Sequence, residues 1–390
     1  MTQRLRVEPD TSFIKELQAA GGGSLKKCYQ CATCSVVCEL SGNGTVFPRK
    51  EMLWAQWGLK DRLMADPNVW QCHQCNDCST YCPRGARPGD VLAAVRTNIF
   101  RNFAFPAFMG RALASPKALP LLLLAPVLVL VILIGSSPDL GFSKAPPPPG
   151  TEGGFFKYFM PHGVMEALFM SGNVLIFAFA AAGLLRFWRG MKKAAPEGRD
   201  IKFLPSLINT VLEIFAHSKF RKCQVNWTRS WAHLLVFYGF LGAMATAGLA
   251  VMDMTLLGNN PPIPYSSPIK ILGNLSAVAL LVGSIALILR RISDREKVGA
   301  NGYADWLFLV FILIVSVTGV LTQITRQVGP YQLAYIVYFI HIVAVFFLLW
   351  YAPYSKFAHM FYRTLALVYL RGAAGQTEAV PADAKGEQRP

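Results

Sequence analysis

Two stretches, CYQCATCSVVC (28–38) and CHQCNDCSTYCP (72–83), decide how the chain is read. Each carries Cys-x2-Cys-x2-Cys-x3-Cys, and Pro83 follows the second. Three thiolates on one tight loop can cap three irons of a cubane, and in two-cluster ferredoxins the fourth cysteine ligates the other cluster. The expected ligands are therefore Cys28, Cys31, Cys34 and Cys82 for a first [4Fe–4S] cluster, and Cys72, Cys75, Cys78 and Cys38 for a second. Structural zinc is the competing reading, but zinc modules usually set two Cys-x2-Cys knuckles further apart and do not follow three close cysteines with a fourth. Eight of the nine cysteines fall within 28–82, and Cys223 stands alone. No secretory signal pattern opens the chain, so the dense cluster points to metal binding more than to a disulfide framework.

Around the motifs the chain is polar up to about residue 110, which sets an expected N-terminal ferredoxin-type domain over 1–110. Between the motifs, PRKEMLWAQWGLKDRLMA (48–65) reads as one amphipathic helix with Leu53, Trp54, Trp57 and Met64 on its apolar side. Pro88-Gly89-Asp90 reads as the start of a helix over Val91–Phe100. An all-helical domain is expected, not the compact β-rich ferredoxin type.

Beyond residue 110 the composition changes. The whole chain has 390 residues, is 53% hydrophobic and 15% charged, and has a mean hydropathy of +0.36, which is too apolar for an ordinary soluble protein. Six spans are expected near 118–135, 162–186, 230–251, 270–289, 304–325 and 333–353, each long enough to cross about 30 Å of hydrocarbon. The fold class is thus all-α: a helical ferredoxin domain, a six-helix transmembrane bundle over 111–365, and a flexible tail over 366–390. Residues 138–161, with their Pro146–Pro149 run, read as an extended external loop. Ten Lys and Arg lie in the 186–229 connection, four in 290–303 and five after Tyr354, against four on the opposite side (Lys144, Lys157, Lys270 and Arg326). The basic side faces the cytoplasm, so both termini should lie there, in a cell inner membrane. This placement accounts for much of the net charge of +16 without nucleic acid.

The histidines concern the membrane half. His341 and His359 stand 18 residues apart. That is five helical turns, about 27 Å, so both leave one face if the last helix continues past the bilayer edge. Each could ligate one of two stacked b-type haems. His233 lies near the cytoplasmic end of the third span, at a depth matching His359. For His341 two partners stay open: His162 at the external start of the second span, or His233 if His217 takes the place beside His359. His73, inside the second cysteine motif, needs no further role. Glu166 and Asn173 follow His162 on one helix face. They suit a lined cavity, a haem propionate neighbour or a quinone site, though an interfacial Glu166 reaching headgroups fits as well.

The cysteine pair followed by HSKFRKCQVNWTRSWAHLLVFYGF (217–240) and HIVAVFFLLWYAPYSKFAH (341–359) resembles the QmoC family, the membrane subunits of quinone-interacting membrane-bound oxidoreductase complexes. The front half resembles heterodisulfide reductase iron–sulfur subunits. The back half resembles the haem b subunit of that enzyme and the gamma subunit of respiratory nitrate reductase. That last family carries two haem-ligating histidines on each of two helices. The resemblance implies His341, His359 and His233 as ligands here, while the fourth position, ten residues after His233, is Ala243. It further implies menaquinone or ubiquinone as redox partner and two cytoplasmic flavin and iron–sulfur subunits, reaching adenylylsulfate reductase in sulfur metabolism through them. No nucleophile with a paired base and no dinucleotide fingerprint is present, so a relay is expected over an enzyme with its own soluble substrate. Two alternatives stay open: a subunit of a heterodisulfide-type reductase acting on a soluble thiol or disulfide, and a non-redox anchor with zinc knuckles.

Overall fold

A computed structural model describes residues 8–41, 46–148, 154–194, 201–217, 227–259, 262–294, 298–299 and 302–374. Cys223, Pro149 and the tail from 375 lie outside the described residues. Every regular element among the described residues is helical. Contacts divide the chain into two compact units: 1–104 with 181–225 and 358–390, and 105–180 with 226–357.

The first unit opens with α1 (Thr11–Leu17), whose first turn is capped by Asp10 accepting from the Phe13 amide at 2.9 Å. Such a cap contributes about 1 kcal/mol. Helices α2 (Thr33–Val36) and α5 (Asp77–Thr80) follow the two cysteine loops, and α3 (Arg49–Gln56) and α4 (Lys60–Met64) lie between them. The single helix expected over 48–65 is therefore two. Gly58 breaks it with φ +64, a left-handed conformation that favours glycine. Its carbonyl accepts from the Asp10 amide at 3.0 Å, and a Cβ at residue 58 would stand 2.6 Å from the Asp10 carbonyl oxygen. The side turned inward also differs: Glu51, Met52 and Ala55 are buried while Trp57 is exposed.

Helix α6 (Pro88–Phe103) begins where expected and supplies Val91, Leu92, Val95 and Ile99 to the core of this unit. That core reaches beyond residue 110. It includes Phe187 and Met191 from the last turns of α9 (His162–Ala194), and Tyr362, Ala366 and Tyr369 from α15 (His359–Ala374). Residues 366–374, expected as flexible tail, are thus helical and packed, because their apolar stripe has a partner. Helix α10 (Phe203–Ala216), within a connection read as plain basic loop, packs on α15. It buries Ser206 and Thr210 and exposes Leu204, Ile208, Leu212 and Phe215. This inverted polarity suits a lipid-facing helix lying in the interface.

The acid Glu51 in this core is 1% exposed, and burial, then neighbouring Asp66, pushes its carboxyl up to about 8. Lys50 lies 3.3 Å from Glu51 and 3.1 Å from Asp66. A carboxyl raised in the folded state contributes stability at low pH that is lost as pH rises through the folded value. Melting of this unit should therefore fall between about pH 4.5 and pH 8. Glu51→Gln should flatten that slope and raise the melting temperature at pH 8 in thermal scans followed by tryptophan fluorescence. An unchanged slope would mean that Glu51 stays ionised.

The second unit holds α7 (Ala107–Leu113), α8 (Leu119–Gly135), the first half of α9, α11 (Trp227–Thr255), α12 (Pro268–Ser293), α13 (Tyr303–Val328) and α14 (Tyr331–Trp350). Among the described residues, six helices are long and apolar enough to cross a membrane: Pro116–Gly135, His162–Ala194, Trp227–Thr255, Pro268–Ser293, Tyr303–Val328 and Tyr331–Trp350. These match the expected spans, and the chain is a multi-pass membrane protein. Helices α11 and α12 lie close because a Cβ at Gly283 would stand 2.9 Å from the Ala232 carbonyl oxygen.

Two expectations change here. The 138–161 loop, expected not to be a folded unit, is packed at its end: Phe156, Phe159 and Met160 are buried against α8 and α14, and the Phe159 ring stacks on Tyr335 at 4.6 Å. Nor does the last helix run through to His359. It stops at Trp350, passes through 3-10 turns at Ala352–Tyr354 and Lys356–Ala358, and a new helix opens at His359. Pro353 has no N–H to continue the ladder and restricts the residue before it. The Tyr354 hydroxyl donates to the Phe105 carbonyl at 2.7 Å, fixing the turn. The five-turn register joining His341 to His359 therefore does not exist.

Candidate functional site

The two cysteine loops share one backbone plan at an offset of 44 residues. Gln30 and Gln74 have φ +66 and +55, and Ala32 and Asn76 have φ +68 and +70. Each loop then enters its four-residue helix, and α2 packs against α5. Left-handed residues that are not glycine are uncommon and cost energy. Here they wrap the chain around the thiols and turn donors toward sulfur. The Gln74 amide donates to Cys72 Sγ at 3.3 Å, and Gln30 Nε2 donates to Cys28 Sγ at 3.5 Å. Gln56 holds the first loop from α3, donating to the Cys28 carbonyl at 2.6 Å and the Leu25 carbonyl at 3.1 Å. Arg96 holds the second, donating to the Val69 carbonyl at 3.1 Å and Gln74 Oε1 at 3.0 Å.

Thiols of the two loops act on one another electrostatically. Burial, then Cys28, Cys31 and Cys82, pushes the Cys34 thiol up to about 11, and burial, then Cys82 and Cys31, raises Cys28. Burial, then Cys72, with Cys38 and Cys34 adding to it, pushes Cys78 up to about 12. Cys75 is half-buried in the second loop. Grouped thiols that resist ionisation by themselves become thiolates when a strongly positive iron body supplies the opposing charge. Together with the donors aimed at sulfur, this donor set fits iron–sulfur clusters.

The environments of the loops differ. Arg363 of α15 donates to His73 Nδ1 at 2.9 Å, and Trp70, two residues before Cys72, stacks on Tyr362 at 5.9 Å. Phe100 and Phe187 complete this aromatic group. Such pairs add about 0.5–1.5 kcal/mol each beyond area burial. The first loop instead shows Cys31 and Tyr29 to solvent, with the Arg84 guanidinium 5.7 Å from the Tyr29 ring.

In the membrane unit, His341 on α14 has Nδ1 3.0 Å from Thr318 Oγ1 on α13. That hydroxyl has one proton and lies 2.6 Å from its own acceptor, the Ile314 carbonyl. With the Thr318 hydroxyl donating to Ile314, His341 Nδ1 can donate to Thr318, the tautomer that would offer Nε2 to a metal. A Cβ at Gly319 would stand 3.1 Å from His341 Cε1, so the ring packs closely on this glycine. A histidine held in this tautomer fits axial ligation of haem iron. His233 on α11 stacks on Phe237, and Ala243 packs in an apolar cluster with Leu280 and Ile312. His162 and Glu166 are half-buried at the start of α9. His217 ends α10 with φ +48, its Nδ1 3.3 Å from the Phe215 carbonyl. Asn173 follows Gly172, on which the Trp350 indole packs, and Trp350 Nε1 is buried without a hydrogen-bond partner among the described residues. Sequence reasoning missed Arg363, Thr318, Gly319 and Trp350. The glutamine at the same offset in both cysteine motifs was the one available signal for the shared loop plan.

A helical two-loop cysteine unit continuous with six spans defines a membrane-bound iron–sulfur electron-transfer subunit. The chain belongs to the citrate utilization protein B family, whose model matches residues 113–380, and residues 24–86 match the 4Fe-4S dicluster domain. It is similar to "Citrate utilization protein B" of Escherichia coli, 27% identical over 94% of this chain and 96% of that one. It is also similar to a subunit of the H(2):CoB-CoM heterodisulfide,ferredoxin reductase of Methanothermobacter marburgensis, 37% identical over 25% of this chain and 54% of that one. A subunit of the dihydromethanophenazine:CoB–CoM heterodisulfide reductase of Methanosarcina thermophila is 23% identical over 48% of this chain and 74% of that one. No solved structure matches.

Proposed function

We propose that this chain relays electrons between membrane quinone and a cytoplasmic flavin or iron–sulfur partner subunit, through b-type haem and two [4Fe–4S] clusters. The reading rests on two cysteine motifs matching a 4Fe-4S dicluster domain in a chain whose spanning helices carry His341 against Thr318. Cys28, Cys31, Cys34 and Cys82 would hold one cluster, and Cys72, Cys75, Cys78 and Cys38 the other. His341 and His233 would ligate haem with His359, and with His162 or His217 as the open fourth position. These groups supply one-electron carriers, while the chain seats them, excludes water and presents hydrogen-bond donors to sulfur.

Quinone is apolar and must meet its redox partner within the bilayer. Glu166 and Asn173, with the Trp350 indole N–H nearby on Gly172, offer a proton-handling carboxylate and donors for its carbonyls. Relatives carry names from citrate utilization and from heterodisulfide reduction. The shared part is the relay, and the substrate belongs to the soluble partner. The sulfur-metabolism partner implied by the sequence resemblance is one such case. Both termini are cytoplasmic in this reading, with the chain in the inner membrane.

Metal and haem analysis of the purified chain, with a dithionite-reduced spectrum, tests the proposal. About eight non-haem irons per chain and the bands of b-type haem are expected. Zinc in place of iron, or a colourless protein, would sink it. In the same cells, a reporter fused after Lys193 should report the cytoplasm; an external signal would reverse the relay.

A further inference from the structure

We infer that the clusters are ordered: the second-loop cluster sits on the membrane-derived helices, and the first-loop cluster is the outer terminal where the soluble partner exchanges electrons. This rests on the proposed function, since it presupposes clusters in both loops.

Because the loops share one backbone plan, equivalent positions can be compared directly. Cys31 is exposed, while its counterpart Cys75 is half-buried. Cys34 is half-buried and its counterpart Cys78 is buried. Tyr29 is 57% exposed, whereas its counterpart His73 lies against Arg363. The second loop is thus the covered one throughout this set. What covers it is specific: Trp70 packs with Tyr362 of α15 and Phe187 of α9. Helix α9 is one unbroken helix that includes a span, and α15 follows the last span after eight residues of turn. The first loop faces water, with Val36 84% exposed; Tyr81, 63% exposed on the second motif, stands next to Cys82, which would close the first-loop cluster.

Each cluster also has its own cation at the residue after its first cysteine, Arg84 beside Tyr29 and Arg363 beside His73. A nearby positive charge favours the reduced, more negative cluster. Each arginine therefore marks one cluster by its potential. Removing it should lower the midpoint of that cluster alone.

The test uses the full-length chain in detergent, followed by redox titration with electron paramagnetic resonance. Arg363→Gln should lower the midpoint of one signal and Arg84→Gln that of the other, with Arg363→Lys near wild type. Adding aqueous dysprosium chelate should then speed relaxation of the signal marked by Arg84 and spare the one marked by Arg363. Cys31→Ser is an independent label that works even if it costs the outer cluster: the signal that remains should resist dysprosium. A remaining signal fully open to dysprosium, or the Arg363-marked signal relaxing faster, overturns the order. So does the absence of a midpoint shift in both glutamine variants. Loss of all iron from the wild-type chain would instead refute the cluster reading itself.

Discussion

Cys82→Ser should destroy or convert the cluster that also depends on Cys28, Cys31 and Cys34, although Cys82 lies in the other motif. Non-haem iron should fall from about eight to about four per chain if that cubane is lost. The charge of Cys82 acts on Cys28 and Cys34 of the other motif, while Cys38 acts on Cys78. Resonance spectra should therefore sort the variants by cluster and not by motif. Cys82→Ser and Cys31→Ser should leave the same residual signal, and Cys38→Ser and Cys75→Ser should leave the other. If Cys82→Ser instead matched Cys75→Ser, the crossing would be wrong and each motif would close its own cluster.

The parts legible in the sequence were those fixed by local chemistry. Thiol spacing on a short loop, and runs of apolar residues about 20 long, need no tertiary information. What escaped depended on neighbours distant in sequence. The stretch WYAPYSKFAH (350–359) keeps a helical apolar pattern, and only Pro353 hints that α14 ends and α15 begins anew. Helix α10 is apolar but has 14 residues, too few to span, and it lies among lysines and arginines. Its exposed Leu204, Ile208, Leu212 and Phe215 make an apolar face opposite buried Ser206 and Thr210. Phe187 and Tyr362 read as parts of unrelated segments until Trp70 brings them together. The conformations of Gln30, Ala32, Gln74 and Asn76 break the usual preference for negative φ, as expected where a loop is shaped by what it must hold.

The haem proposed at His341 gives the other large effect. His341→Ala should abolish the haem it serves, seen as loss of the corresponding reduced-minus-oxidised band and of extractable haem. Thr318 permits a finer test because it touches the histidine and not the iron. Its hydroxyl accepts from His341 Nδ1 while donating to the Ile314 carbonyl. Thr318→Val removes the acceptor, leaves a buried N–H unpaired and frees the ring to adopt the other tautomer. Loss of such a supporting bond typically weakens metal binding by about 10–100-fold. It also lowers ligand basicity, so the midpoint of whatever haem remains should rise. Thr318→Ser, which keeps the hydroxyl, should restore both occupancy and potential, an outcome that packing alone would not produce. His162→Ala and His217→Ala, measured beside them, identify the opposite ligand: the one that makes this same haem five-coordinate is its partner. Normal haem content and an unchanged midpoint in Thr318→Val would show that the hydroxyl does not set the ligand's tautomer. Normal haem in His341→Ala would remove His341 from the relay altogether.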